Sequence, residues 1–242
     1  MAYAQRLFTK PDSQPKAVKG EKLGVMTFVL MLAPADLSGY NVCPMALVCK
    51  DPCLNLSGRG AMTSAQTARI KKTRHFFENR DAFMHQLVEE ISAGIRYAEQ
   101  RNFIPAFRLN GLSDIPWHRI ATALGMSVME LFCAAQFYDY TKVAKRILSE
   151  ELPPNYHLTF SYDGTAANVE NARRVLAMGG NVAVVFRNEA TRDHYAANGG
   201  FLNHPVINGD ESDVRFYDPK GVVVGLYAKG PAKKDRSGFV VD

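Results

Sequence analysis

The stretch Gly24-Val25-Met26-Thr27-Phe28-Val29-Leu30-Met31-Leu32 is the first strongly apolar run in the 242-residue chain. Such near-continuous apolar character is typical of a strand in a parallel sheet that is covered on both faces. The run is too short to cross a bilayer as a helix. We therefore predict a buried first strand and expect no membrane association.

Helical and strand-like patterns alternate after this strand. Phe83, Leu87, Ile91 and Ile95 recur every four residues and predict a long helix. Strand-like runs at residues 103–109, 134–140, 157–162 and 181–186 then alternate with helix-like segments at residues 116–124, 142–149, 168–178 and 190–197. Alternation of this kind favours an α/β fold with a mainly parallel sheet. We predict a partial (β/α)6-like barrel with a C-terminal β-hairpin, formed by residues 213–228 around a turn at 218–221.

Composition sets the domain organisation and the compartment that we expect. Residues 1–22 are polar and contain two prolines, which predicts a flexible N-terminal arm. Residues 23–242 are predicted to form a single α/β barrel-like domain. The first residues lack the basic start and apolar core of a signal peptide, so we expect a cytoplasmic protein. The net charge of +5 is compatible with a nucleic-acid or phosphate-bearing partner, or with scattered surface lysines.

A cysteine loop, residues 43–53, follows the first strand. It reads Cys43-Pro44-Met45-Ala46-Leu47-Val48-Cys49-Lys50-Asp51-Pro52-Cys53 and holds three of the four cysteines of the chain. In a protein of a reducing compartment, clustered thiols indicate a metal site more than disulfides. Three thiolates with an open fourth position suit an iron–sulfur cluster. Zinc is the second interpretation, and inert buried thiols are the third.

A structural zinc site needs a fourth ligand. His75, His85 and Cys133 are the candidates for that position. Cys133 follows Leu131-Phe132, so we expect it in the core. The usual C-x2-C spacing of zinc knuckles is absent, since the cysteine spacing is C-x5-C-x3-C.

Polar side chains follow several of the predicted strands. In α/β folds ligands bind at the carboxyl ends of the strands, so these groups are candidates for a common site. The candidates for acid–base catalysis are Asp114, Asp139 and Asp163. Asp114 is also compatible with a helix cap. Arg108 and Asp139 adjoin apolar strands, where they either pair with each other or face a ligand.

Basic residues form two groups. One group lies in a predicted helix and forms either a phosphate-binding surface or a solvated face; it comprises Arg69, Lys71, Lys72, Arg74 and His75. Lys229, Lys233, Lys234 and Arg236 form a second group near the C-terminus.

A three-cysteine loop after the first strand of a partial (β/α)6 barrel resembles the radical S-adenosylmethionine superfamily. The resemblance implies a [4Fe-4S] cluster on Cys43, Cys49 and Cys53, whose open iron binds S-adenosylmethionine. Candidates for holding that cofactor are the polar groups at later strand ends, namely Arg108, Asn110, Ser161 and Arg187. The superfamily's usual spacing is C-x3-C-x2-C with an aromatic residue before the last cysteine, whereas Pro52 precedes Cys53 here.

The chain is also similar to a group of uncharacterised bacteriophage proteins. These share an N-terminal cysteine triplet, a segment corresponding to residues 108–114, and an aromatic strand corresponding to residues 137–141. This similarity does not indicate what the protein does.

Three functions remain open at the level of sequence. The first is an iron–sulfur enzyme that resembles radical S-adenosylmethionine proteins and acts on a nucleotide or nucleic acid. The second is a nucleic-acid-binding protein with a structural zinc site. The third is a metal-free α/β enzyme that uses carboxylates at the strand ends.

Overall fold

The structure, a computed structural model, describes residues 5–9 and 19–242. Its strands are β1 (Val25–Val29), β2 (Ile104–Arg108), β3 (Gln136–Thr141), β4 (Tyr156–Ser161), β5 (Val182–Phe186), β6 (Val206–Asn208), β7 (Val223–Tyr227) and β8 (Val240–Val241). Its α-helices are α1 (Thr63–Glu78), α2 (Arg80–Glu99), α3 (Val128–Leu131), α4 (Lys145–Leu148), α5 (Ala166–Ala177) and α6 (Glu189–Ala197). Across these described ranges, no helix has the length and apolar character needed to cross a membrane.

The sheet has the strand order β1-β2-β3-β4-β5-β7-β6, and β8 pairs with β5. The strand pairs whose register is resolved are parallel. The predicted fold class, an α/β fold with a mainly parallel, partial-barrel sheet, is confirmed. The predicted hairpin over residues 213–228 is not formed, because Arg215–Tyr217 is a 3₁₀ helix and β7 pairs in parallel with β5 and β6.

The chain divides into two compact units. The first comprises Met1–Cys43, Gln66–Asp139 and Pro153–His157, and the second comprises Pro44–Ala65, Tyr140–Leu152 and Leu158–Asp242. The predicted single domain over residues 23–242 stays a prediction.

The core of the first unit contains a row of phenylalanines across neighbouring strands. The register places Phe28 of β1 opposite Phe107 of β2, and Phe107 opposite Phe137 of β3. The ring centroids of Phe28 and Phe107 are 5.2 Å apart, and those of Phe107 and Phe137 are 5.5 Å apart. Because side chains alternate between the faces of a strand, this row marks one apolar face.

Helix α2 packs on β2 through the face that its period predicted. Phe83, Leu87 and Ile91 are fully buried. A Cβ atom at Gly94 would lie 3.1 Å from the Phe107 ring, so the helix approaches the strand closely at this glycine. The four-residue period is therefore confirmed as a buried helix face.

Residues 5–9 pack in the first unit, whereas the rest of the predicted N-terminal arm up to residue 18 lies outside the described residues. Phe8 forms an antiparallel bridge with Leu30, and the backbone N–H groups of Leu7 and Phe8 donate to Glu90. Lys72 donates to the Leu7 carbonyl at 2.6 Å. Burial lowers the pKa of Lys72 to about 8.

The basic run on α1 is therefore not a uniformly solvated face. Arg69, Lys72 and His75 are buried, whereas Lys71 and Arg74 are exposed. Of the two adjoining phenylalanines, Phe76 is buried and Phe77 is half-buried.

Two further expectations were wrong. Residues 116–124 hold only the short 3₁₀ helix Trp117–Arg119 instead of an α-helix. Cys133, expected in the core, is exposed.

The second unit has its own apolar core. Its fully buried side chains come from strands β4, β5 and β7 and from α5, and they include Phe160, Val175, Val182, Val184, Phe186 and Val223. β5 is buried along most of its length, as the apolar run at residues 181–186 predicted. Polar residues that follow these strands are therefore held on a rigid, closely packed base.

Candidate functional site

Asp139 is a fully buried carboxyl inside β3. It follows Phe137 by two residues and so shares the face of the phenylalanine row. Its Oδ1 accepts a hydrogen bond from the backbone N–H of Asn110 at 2.7 Å. Its Oδ2 accepts one from the Tyr156 hydroxyl at 3.0 Å and one from Asn110 Nδ2 at 3.3 Å. Three donors therefore hold this carboxyl on an otherwise apolar face.

Burial raises the pKa of Asp139 from 3.8 to about 7. The hydrogen bond from the Asn110 N–H, the charge of Arg108 and the Tyr156 hydroxyl lower this pKa, and the charge of Asp114 raises it. Desolvation outweighs the stabilising contacts, as expected for a carboxyl without contact to water. Asp139 therefore exchanges its proton near neutral pH, which is the range that a general acid or base needs.

Asn110 organises the loop after β2. Its Oδ1 accepts hydrogen bonds from Ser113 Oγ at 2.8 Å, from Ile115 N at 2.9 Å and from Trp117 Nε1 at 3.1 Å. Its Nδ2 donates to the Ile115 carbonyl at 2.9 Å. Both ends of the Asn110 amide are engaged within the protein, so this residue positions the loop and Asp139.

Two other predicted residues lie around Asp139. Arg108 ends β2, and its charge acts on the pKa of Asp139. Asp114 is buried, and its backbone N–H donates to the Val42 carbonyl at 2.8 Å. The first unit thus brings Arg108, Asn110, Asp114 and Asp139 together.

Asp163 is the centre of a second cluster, in the second unit. Its Oδ1 accepts hydrogen bonds from the backbone N–H of Thr165 at 3.1 Å and from the Thr165 hydroxyl at 2.8 Å. Its Oδ2 lies 3.3 Å from Lys142 Nζ, and both side chains are largely buried. The ammonium also lies 3.4 Å from the Ser161 and Tyr162 carbonyls. A lysine that follows β3 is thus held at the carboxyl end of β4.

Cys49 lies close to this ion pair and to Cys53. Burial raises the pKa of the Cys49 thiol, and the charge of Lys142 lowers it. The charges of Cys53 and Asp163 raise it further. The cysteine loop therefore brings Cys49 close enough to the carboxyl ends of β3 and β4 to interact electrostatically with Lys142 and Asp163.

Cys43 belongs to the first unit, where its Sγ donates to the Leu112 carbonyl at 3.5 Å. All four cysteines are free thiols. Within residues 5–9 and 19–242, no three His, Cys, Asp or Glu side chains form a group that could hold a metal ion. The triplet as a metal site stays a prediction.

Arg187 follows β5 and contacts the C-terminal segment. Its Nε lies 2.6 Å from Asp242 Oδ1. Its two terminal nitrogens donate to the Lys233 carbonyl at 2.9 Å and to the Asp235 carbonyl at 2.8 Å. The guanidinium predicted to bind a cofactor is thus engaged in fastening residues 233–242 to the end of β5.

Comparison with known proteins adds one positive finding. A family model described as gene product 88 matches residues 6–242. The chain belongs to the gene product 88 family. This match supports the expected resemblance to an uncharacterised phage family. It does not support the resemblance to radical S-adenosylmethionine proteins. No curated protein and no solved structure matches the chain.

Three residues of this gene product 88 family member were not among the predicted site residues. Tyr156 and Trp117 donate to the network around Asp139 and Asn110. Lys142 contacts Asp163. Lys142 follows a predicted strand directly, so its position was a usable signal. Tyr156 begins its strand, and Trp117 lies in a segment predicted to be helical, so nothing in the sequence indicated that either residue belongs to the network.

Proposed function

We propose that this protein is a metal-dependent enzyme that holds an iron–sulfur cluster on the cysteine loop and acts on a nucleotide or nucleic acid. One observation carries the proposal. Cys49 interacts electrostatically with Cys53, Lys142 and Asp163, at the carboxyl ends of β3 and β4. That edge is where α/β folds bind cofactors and substrates.

The thiol pair fits a bound cation. Burial raises the pKa of Cys49, and negative charge on Cys53 raises it further, so both effects disfavour the Cys49 thiolate in the absence of a cation. A metal ion replaces the protons and removes the repulsion between the two thiolates. Lys142 then balances part of the negative charge. Cys43 enters as the third ligand on sequence spacing alone.

When bound, the cluster would supply a redox-active iron with an open coordination position, which the superfamily resemblance assigns to S-adenosylmethionine. The chain's own contribution is the position of Lys142 and Asp163. The Lys142 ammonium is held by the Asp163 carboxylate and by two main-chain carbonyls. It is thereby fixed where it can attract an anionic group such as a phosphate.

A specific observation favours a second candidate, a metal-free enzyme that uses acid–base chemistry. The Asp139 carboxyl has a pKa of about 7 and accepts hydrogen bonds from Asn110 and Tyr156. Strongly perturbed carboxyls of this kind concentrate at functional sites. In this candidate function Asp139 transfers the proton, and Asn110 and Tyr156 position it.

Metal analysis of anaerobically purified protein tests the first proposal. We expect iron and a broad absorption near ~400 nm from thiolate-ligated iron. The Cys49→Ser and Cys53→Ser variants should each lose most of the iron. Cys133→Ser is the matched control, since it removes an exposed thiol outside the loop and should leave the iron content unchanged.

Other outcomes separate the alternatives. Stoichiometric zinc in colourless protein would replace the iron–sulfur proposal by a structural zinc site. Protein without metal after anaerobic reconstitution with iron and sulfide would leave the acid–base enzyme as the better candidate. Circular dichroism of each variant shows whether a loss of metal reflects a missing ligand or an unfolded chain.

A further inference from the structure

The second unit exposes basic side chains on two segments that touch. Arg59 lies in the 3₁₀ helix Gly58–Ala61, and Lys233 and Lys234 end the 3₁₀ helix Gly230–Lys234. All three side chains and that of Arg236 are exposed. The segment that contains Arg59 begins at the cysteine loop, so Arg59 follows Cys53 closely in the chain.

Contacts within the unit bring the two segments together. The 3₁₀ helix Leu54–Leu56 packs against the 3₁₀ helix Gly230–Lys234. Gly230 has a φ of +52°, and a Cβ atom there would collide with Ser57. The Gly230 backbone therefore lies against the Ser57 side chain, in a conformation that favours glycine.

Nearby acidic side chains leave these cations an excess of positive charge. Asp235 accepts hydrogen bonds from Ser237 Oγ at 2.8 Å and from Val240 N at 3.2 Å. Asp242 lies 2.6 Å from Arg187 and also 4.0 Å from Arg236, so Arg236 is partly neutralised. Arg59, Lys233 and Lys234 therefore carry most of the excess charge. Lys229 is set aside, because its ammonium lies 2.6 Å from Asp210.

Apolar side chains are exposed in the same region. Leu54, Leu56 and Met62 have exposed fractions of 52%, 51% and 56%. A surface that presents both cations and apolar groups fits a ligand with negative charges and apolar faces. Single-stranded nucleic acid has both, since its phosphates are anionic and its unpaired bases expose flat apolar faces. A duplex offers its phosphates but keeps its bases stacked.

We propose that this basic surface, comprising Arg59, Lys233, Lys234 and Arg236 with Leu54, Leu56 and Met62, binds single-stranded nucleic acid. The inference rests on the proposed function, because it names the macromolecular substrate of the enzyme whose cluster the cysteine loop would hold. The cations bind the phosphate backbone, and the apolar side chains contact the bases.

Fluorescence anisotropy with a dye-labelled, mixed-sequence oligonucleotide tests this inference. We expect affinity to fall steeply between about 50 mM and about 200 mM salt, because phosphate contacts release counterions. The double variant Lys233→Ala/Lys234→Ala should bind more weakly. Its slope of log affinity against log salt should be shallower by about 0.7 for each phosphate that the variant no longer neutralises.

The matched control is Lys145→Ala/Lys220→Ala, which removes the same charge from two other exposed lysines of the second unit. It should retain the affinity and salt slope of the unmodified protein. Leu54→Ala/Leu56→Ala should weaken binding without changing the slope, since it removes apolar contacts and no charge.

Four results would overturn the inference. They are equal losses in the test and control lysine variants, equal or tighter binding of a duplex, no binding at the lowest salt, and binding of anionic phospholipid vesicles without binding of the oligonucleotide. The Cys49→Ser variant separates this inference from the proposed function. It should lose the metal and retain oligonucleotide affinity, so each proposal can fail alone.

Discussion

Asp139 shows how one residue acquires unusual chemistry from its surroundings. It occupies a position on the face that carries Phe137, where an ionised carboxylate is costly. The Asn110 and Tyr156 donors reduce that cost without removing it, and the pKa remains near 7. Sequence singled out this residue because a charge stood in an apolar strand. The identity of its partners was not visible, since Tyr156 begins another strand and Asn110 lies in a loop.

The raised pKa of Asp139 predicts a pH-dependent stability. The folded protein holds this proton up to a pH of about 7, whereas the unfolded chain releases it near 3.8. The unfolded state thus binds fewer protons between these values, so the free energy of unfolding should fall as the pH rises from about 4 to about 7. The fall should be on the order of a few kcal/mol, since each pKa unit corresponds to about 1.4 kcal/mol.

Urea unfolding at about pH 5 and about pH 8 measures this effect. The Asp139→Asn variant has no proton to lose and should show a shallower dependence. Asp218, whose pKa burial raises to about 6, accounts for part of the slope that remains. An unchanged slope in Asp139→Asn would show that Asp139 is ionised in the folded protein at all these pH values.

At the scale of elements, strands and long helices were predicted best. The apolar runs at residues 103–109 and 181–186 contain β2 and β5, and the residues that recur every four positions lie within α2. The helix predicted at residues 116–124 failed because hydrogen bonds from Ile115 and Trp117 to Asn110 hold this segment in another conformation. Tertiary contacts overrode a local pattern there.

The loop after β4 meets the C-terminal segment at two glycines. A Cβ atom at Gly164 would collide with the backbone of Gly238. Gly179 has nearly the same φ, +81° against +80° at Gly164, but has nothing within 4 Å of its Cβ position. Gly164 and Gly179 therefore share the left-handed backbone conformation, but only at Gly164 would a Cβ atom also collide with another part of the chain.

This pair predicts different costs for the same substitution. Gly179→Ala should lower the free energy of unfolding by about 1–2 kcal/mol, because a left-handed conformation disfavours a side chain. Gly164→Ala should lower it by more, and limited proteolysis should cut its C-terminal segment faster. Equal effects on unfolding and proteolysis would show that residues near Gly238 move away without loss of stability.

At the scale of the whole molecule, the chain forms two compact units with parallel strands and belongs to the gene product 88 family. The alternation of apolar runs and helical periods predicted the α/β class correctly. The C-terminal pairing was predicted wrongly because a turn at residues 218–221 resembles a hairpin turn, whereas β7 pairs with the distant strands β5 and β6.

A bound metal should stabilise the whole protein. A ligand that binds only the native state adds free energy to it, and about 2–4 °C of melting temperature corresponds to each kcal/mol in a protein of this size. Metal-loaded protein should therefore melt at a higher temperature than chelator-treated protein. The difference should persist in Cys133→Ser and disappear in Cys49→Ser. A chelator that leaves the melting temperature unchanged would argue against a structural or catalytic metal.

The amino-acid sequence by itself determined the buried strands, the long helix α2 and the order of the α/β elements. A continuous apolar run or an amphipathic helix must bury its apolar residues, and only a small number of architectures allow this. Only the tertiary structure decided which polar groups meet. Asn110, Asp139 and Tyr156 come together in one unit, and Cys49 comes near Lys142 and Asp163 in the other. These contacts join residues that are distant in the chain, and they depend on strand register and loop path, which no local pattern specifies.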